Sequence, residues 1–167
     1  MTFRFAVAAA ILTATVMSIS DGRAQQYPSR PMTIVVPLAA GTGMDSLARM
    51  YSEEMAKGLG QPVTIENQPG AAMMLAAAAV ARAAPDGHTL LVAAIAPMAI
   101  NQTLYKQVNY DPDKDFVPIA LYAKSPFVLV VNPSSGLGSL SEFMKKAKES
   151  TAQPLTYSTP GAGFLQH

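Results

Sequence analysis

The chain has 167 residues, half of them apolar and 14% charged, and its 12 Lys and Arg against 11 Asp and Glu leave a formal net charge of +1. That balance supplies no basic field for nucleic acid or anionic lipid, and the apolar content is that of a folded protein. There is no cysteine and there are only two histidines, which excludes a disulfide framework, a thiolate zinc site, a thiol nucleophile and a His-rich metal centre; no cofactor is expected.

Arg4 precedes an uncharged run over 5–20, and Gly22, Arg23 and Ala24 place small residues at the −3 and −1 positions of a cleavage site. The pattern predicts a signal peptide over 1–24, because the run is shorter than the roughly 20 apolar residues of a bilayer span. A membrane anchor is the alternative. Export implies a periplasmic, monomeric body. Met32–Val36, a β-branched run ending at Pro37 and a glycine loop, predicts a buried strand. Over 44–59, Leu47, Tyr51, Met55 and Leu59 recur every four positions with charges between them, which predicts an amphipathic helix closed by Gly58 and Gly60. A second strand is expected over 63–65, an alanine-rich helix over 71–84 ending at Pro85-Asp86-Gly87, and a third strand over 89–93. Strand, helix, strand, helix, strand with short links forces parallel pairing, so 25–104 is expected to be the first lobe of a doubly wound α/β fold.

A polar linker at 110–115 opens the expected second lobe, 105–167. It holds apolar runs over 119–123 and 127–131 read as adjacent strands, a helix over 140–149, a strand over 155–158 and a glycine loop ending at Gly163. A strand and glycine loop ordinarily feed a helix, so this lobe reads as incomplete, with apolar residues short of cover and faster amide exchange than in the first.

Ligands of an open parallel sheet bind outside the carboxyl ends of its strands. The first such loop, from Ala39 to Asp45, contains Gly41, Thr42, Gly43 and Asp45; its glycines admit backbone contact with a ligand, and the following helix points amides at it, so an anion fits. The alternative is a tight turn with Thr42 and Asp45 as helix caps. Gly70, after Pro69, and the pair Gly161 and Gly163 stand in comparable loops, with simple turns as the alternative. Gly41, Gly43 and Ser46 approach a dinucleotide fingerprint, with Glu66 placed as its ribose-binding acid. Against that reading, Asp45 would set a carboxylate beside the pyrophosphate and Ser46 replaces the third glycine. No G-x-S-x-G elbow occurs, Ser158 and His167 form no recognisable triad, and His88, after a turn, is expected at the surface. No catalytic residue is assigned.

Together the strings YPSRPMTIVVPLAAGTGMDSLAR (27–49), GQPVTIENQPGA (60–71), AVARAAPDGHTLL (79–91), YDPDKDFVPIALYAKSPFVLVVNPS (110–134) and LTYSTPGAG (155–163) resemble the solute receptors of tripartite tricarboxylate transporters, the Bug family. The resemblance implies a two-lobed periplasmic-binding-protein fold closing on a small organic carboxylate, held by backbone amides, helix N-termini and ordered waters. It also implies delivery to the transporter's membrane subunits, and no catalysis. On it, ligand contacts fall to Gly41, Gly43, Asp45, Gly70, Gly161 and Gly163, with Thr42 in the same loop a further candidate. The chain departs from the pattern at Thr42 and Met44, which interrupt a run of glycines, and at 72–76, where Ala72, Met73, Met74, Leu75 and Ala76 replace glycines and an asparagine. It departs again at 94–97, where Ala, Ile, Ala and Pro replace hydroxyl residues, and at Phe164 and Leu165. Those changes imply a ligand less polar than citrate; an inactive truncated paralogue is the other reading.

Overall fold

The computed structural model describes residues 26–126 and 128–150 together with Thr156. The expected signal segment at 1–24 and the loop of Gly161 and Gly163 lie outside the described residues, as does the expected strand at 155–158 apart from an irregular, exposed Thr156.

The centre of the fold is β1 (Met32–Val36), flanked on both sides by parallel partners, β2 (Val63–Asn67) and β3 (Thr89–Leu91), in the order β2-β1-β3. Ile34 stands opposite Ile65 on one side and Leu90 on the other. Met32, Ile34, Val35 and Val36 are all buried, as expected for a strand covered on both faces. On one face Ile34, Val36 and Val92 pack with Ala48 of α1 (Gly43–Leu59). On the other, Leu91 packs with Ala77 and Ala78 of α2 (Met74–Ala81). The first crossover runs from β1 to β2 over one face, and the second runs from β2 back across β1 to β3 over the other, which is the start of a doubly wound sheet.

The residues of α1 that reach the sheet differ from the expected stripe. Asp45, Ala48 and Ser52 are buried, whereas Leu47, Tyr51 and Leu59 are substantially exposed. Small side chains let the helix axis lie close to the strands; Met44 and Met55 pack against the core beside them, and Leu47, Tyr51 and Leu59 stand at the rim. There the Tyr51 ring lies 5.1 Å from that of Tyr122. Gly60, in the left-handed conformation at φ 67°, ends the helix.

The second helix also starts later than its composition suggests. Residues Ala71–Met73 form a tight turn that is not right-handed helix, and regular α-helix begins at Met74. After β3, which is shorter than expected, a π-helical turn (Ala96–Ile100) runs into α3 (Asn101–Leu104), and Asp111 caps the short α4 (Pro112–Asp115) by accepting from the N–H groups of Asp113 and Lys114. Packing continues past Leu104: Tyr110 is buried with Ala77 and Ala78, and its ring meets Phe116 edge-on at 6.0 Å.

The apolar runs at 119–123 and 127–131 are not paired as strands among the described residues. Val117, Ile119, Leu121, Val128 and Val130 stand exposed, Val117 by 86%. A two-stranded ribbon is marginal in water without a third strand or a covering helix. The helix that follows, α5 (Leu140–Glu149), is well begun, with Ser139 capping Glu142 and the Glu142 carboxylate accepting from Gly138 N–H at 2.7 Å, yet it buries none of its residues.

His88 is not a surface residue: it is 5% exposed. Its ring lies edge-on to Tyr27 at 5.1 Å, Tyr27 donates its hydroxyl to Gly87 O, and Arg30 pairs with Asp86 at 2.8 Å. The segment before β1 thus straps the turn before β3, at the amino edge of the sheet and away from the glycine loops.

Candidate functional site

The strand order sets three loops side by side at the carboxyl edge of the sheet: 37–42 after β1, 68–73 after β2 and 92–95 after β3. β1 lies between β2 and β3, with the helices after β1 and β2 on opposite faces, so a crevice of the kind such sheets use for ligands falls at the carboxyl end of this strand.

In the first loop, Gly41 takes φ 85°, a conformation other residues enter at a cost. Its N–H donates to Asp45 Oδ2 at 2.9 Å. Asp45 is 2% exposed; Arg49 donates Nε to Oδ2 and Nη2 to Oδ1, each at 3.0 Å, and Asn67 donates Nδ2 to Oδ1 at 2.9 Å. Asn67 Nδ2 also donates to Leu38 O at 2.9 Å. A single carboxylate therefore ties together the end of β1, the first turn of α1 and the end of β2. It is turned inward, so it shapes the loop while Arg49 offsets its charge, which removes the repulsion that an anion in this crevice would otherwise meet.

Thr42 is also occupied within the loop: its hydroxyl donates to Ala39 O at 2.9 Å and accepts from Asp45 N–H at 3.4 Å. Gly43 is the first residue of α1 and has open space where a Cβ would stand. The N–H groups of Gly43 and Met44 head the helix and have no intrahelical acceptor. These two amides stand at the positive end of a 17-residue helix, an arrangement that suits an anion.

Gly70 opens the second loop at φ 124°, and a Cβ there would stand 2.9 Å from Leu75 Cδ1. Gly70→Ala is expected to lower stability by about 1–3 kcal/mol, from left-handed strain together with that contact. Thermal unfolding checks this, and an unchanged melting temperature would show that the loop relaxes around the methyl group. The first and second glycine loops are thus neighbours, as the sequence places them. Glu66, the expected ribose acid, is exposed and accepts from Gln68 Nε2 at 2.7 Å. No group of His, Cys, Asp and Glu among the described residues could hold a metal ion.

Arg49, Asn67 and Tyr122 were not among the expected site residues. Arg49 has a legible signal, the four-residue spacing from Asp45 on one helix face. Tyr122 has none: it arrives from a distant segment to donate its hydroxyl to Met44 O at 2.9 Å and to accept from Tyr51 at its carbonyl at 3.2 Å.

The Asp45 network has a pH signature. Arg49, then the Gly41 amide and Asn67, hold the carboxyl down from 3.8 to about 2. Folding lowers this pKa, so its contribution to stability is fully present above about pH 4 and is lost as the pH falls from there through about 2. Asp86, held down to about 2 chiefly by Arg30, titrates in the same window. Asp45→Asn is therefore expected to be less stable than the parent at pH 6, with the gap closing towards pH 2. Thermal melts of both across that range test it, and a gap independent of pH would show that Asp45 is not held ionised by the loop.

The family profile described as the tripartite tricarboxylate transporter family receptor matches residues 47–167, well over half the chain. The chain belongs to this family of receptors. A UPF0065 protein of Bordetella bronchiseptica is 37% identical over 149 residues, covering 89% of this chain and 44% of its own length. Among solved structures, MatC of Rhodopseudomonas palustris with bound malate matches with a TM-score of 0.67 at 44% identity, over 75% of this chain and 42% of that one. A second R. palustris protein, solved with adipate, matches with a TM-score of 0.69 at 32% identity, over 74% and 41%. The chain spans less than half the length of these relatives. Its α/β architecture with a parallel sheet matches part of these longer receptors, and the family and its structural neighbours are solute-binding proteins.

Proposed function

We propose that this receptor captures a small organic carboxylate at the carboxyl-edge loops of its first lobe. It works in the periplasm after export on residues 1–24, as a monomer without cofactor or catalysis, and delivers its ligand to the membrane subunits of a tripartite tricarboxylate-type transporter. The observation that carries the reading is the pairing at the end of β1: two outward helix-N-terminal amides, Gly43 and Met44, beside an acid whose charge is tied off by Arg49. Gly41 and Gly70 give the backbone its close approach. Thr42 and Asp45 act by holding the loop. Gly161 and Gly163, in the proposed second lobe over 105–167, are further proposed ligand contacts.

The ligand is a dicarboxylate with a methylene chain. Leu75, 54% exposed, lies against Gly70 in the second loop, and Ile95, 50% exposed, stands in the third. Apolar groups beside a crevice that otherwise presents amides favour the methylenes of an adipate-like ligand over the hydroxyl and third carboxylate of citrate. Titration calorimetry of the full chain against adipate, malate, citrate and NAD tests both parts. Binding of adipate, weaker binding of malate and none of NAD is expected. Binding of NAD without any carboxylate would replace this reading with that of a dinucleotide binder, and binding of none would favour an inactive paralogue.

A further inference from the structure

The second loop contains a backbone feature that its sequence gives no reason to expect. Gly70, Ala71, Ala72 and Met73 have φ of 124°, 46°, 50° and 70°. Three successive residues with side chains in the left-handed region are unfavourable, and none is the Asn or Asp that tolerates it best. Such a run persists only where its surroundings over-determine it. Met73 is buried, and its N–H donates to Gly70 O at 2.9 Å.

A side chain from another element reaches into the run. Asn101, the first residue of α3, is 0% exposed and donates Nδ2 to Ala72 O at 2.9 Å. The other end of the amide, Oδ1, is buried with no hydrogen-bond partner among the described residues. Beside it the Tyr110 hydroxyl, also buried, donates to Pro97 O at 2.8 Å. A buried amide with half its capacity unused is less favourable than an apolar group of similar shape, so packing alone does not account for an asparagine here. Its donor end serves two partners, the Ala72 carbonyl and the neighbouring Tyr110 hydroxyl, and only the first of these belongs to the left-handed run. The backbone N–H of Asn101 reaches five residues back to Ala96 O, closing the π-helical turn that sets the direction of its side chain.

We propose that Asn101 is a positioning residue of the ligand crevice: its amide pins the Ala72 carbonyl, holds residues 71–73 left-handed, and so fixes the amides that begin α2 at the carboxyl edge of the sheet. The binding half of this inference rests on the carboxylate-receptor reading; the structural half does not. Asn101 lies behind the loop and acts through it.

The test uses the full chain with four changes: Asn101→Ala, Asn101→Leu, the pair Ala72→Gly with Met73→Gly, and that pair combined with Asn101→Ala. Amide exchange over 71–76 and melting temperature are read for all, and affinity for adipate by calorimetry. Asn101→Ala and Asn101→Leu are each expected to speed exchange over 71–76 by about tenfold or more and to weaken adipate binding by about tenfold, the Leu variant doing so while keeping its melting temperature. Glycine enters the left-handed region freely, so the pair should restore more in the Asn101→Ala background than it adds to the parent. Unchanged exchange over 71–76 in Asn101→Leu, or strictly additive effects of the glycines, would overturn the proposal. If the parent binds none of adipate, malate and citrate the receptor reading fails, while exchange and the glycine comparison still decide the role of Asn101.

Discussion

Gly43→Val is expected to weaken carboxylate binding by about ten- to a hundredfold while leaving folding almost unchanged. The residue opens α1 with nothing within 4 Å of the position a Cβ would take, and it does not use the left-handed conformation. A side chain there meets no protein atom, and replacing glycine at a helical position carries no propensity penalty. The space it fills is the approach to the Gly43 and Met44 amides. Hydrogen bonds to a charged acceptor contribute about 1.5–3 kcal/mol each, and about 1.4 kcal/mol is a factor of ten in affinity, which gives the range above for one such bond. Gly41→Val is the informative partner, because φ 85° at Gly41 makes any side chain there strained. It should lower the melting temperature as well as the affinity. If Gly43→Val binds as well as the parent, the loop is only the tight turn capped by Thr42.

The second large effect concerns stability along the chain. Amides of β1, the inner turns of α1 and the β1-facing bonds of β2 and β3 are expected to exchange slowest, and those of 123–150 faster by at least about a hundredfold. The contrast follows from burial: Ile34, Val36 and Ala48 are closed from solvent, whereas α5 has no buried residue and Leu129 and Val130 stand open. A helix of ten residues without a packed face is marginal in water. The sequence alone set the change in protection at residue 105. The structure shifts it, since Tyr110, Phe116 and Tyr122 pack against the core clusters around the sheet and should share part of their protection. At about 25 cal/mol per Å² of apolar surface, the exposed valines and leucines of 117–131 also make self-association at high concentration an expected result. Slow, uniform exchange through residue 150 in a monomeric preparation would show that 123–150 is covered by contacts absent from this structure.

Much of this was legible beforehand. Met32–Val36 could be little other than a buried parallel strand, and the two glycine loops fall at its end and at its neighbour's because short βα links leave few ways to connect parallel strands. The inner face of α1 was misjudged because hydrophobicity selected Leu47 and Tyr51, whereas closeness to the sheet selected Ala48 and Ser52. The left-handed run at 71–73 was invisible because Ala-Ala-Met carries strong helical propensity, and the tertiary bond from Asn101 overrides it. Asp45 was expected as a ligand contact beside the first glycine loop; it stands in the first turn of α1, and its inward turn, which the sequence does not reveal, depends on Asn67 and on the side-chain geometry of Arg49. The runs at 119–131 have the composition of strands, yet strand formation needs partners that composition does not supply.

Titration of the isotopically labelled full chain with adipate, followed by backbone amide NMR, tests the central claim most directly. The account predicts that the largest shifts fall on the amides of residues 41–46, led by Gly43 and Met44, with a second set at 70–75. Shifts confined to the groove at the amino edge lined by Gln26, Ser29, Leu59 and Gln61, with residues 41–46 unmoved at saturation, would contradict it.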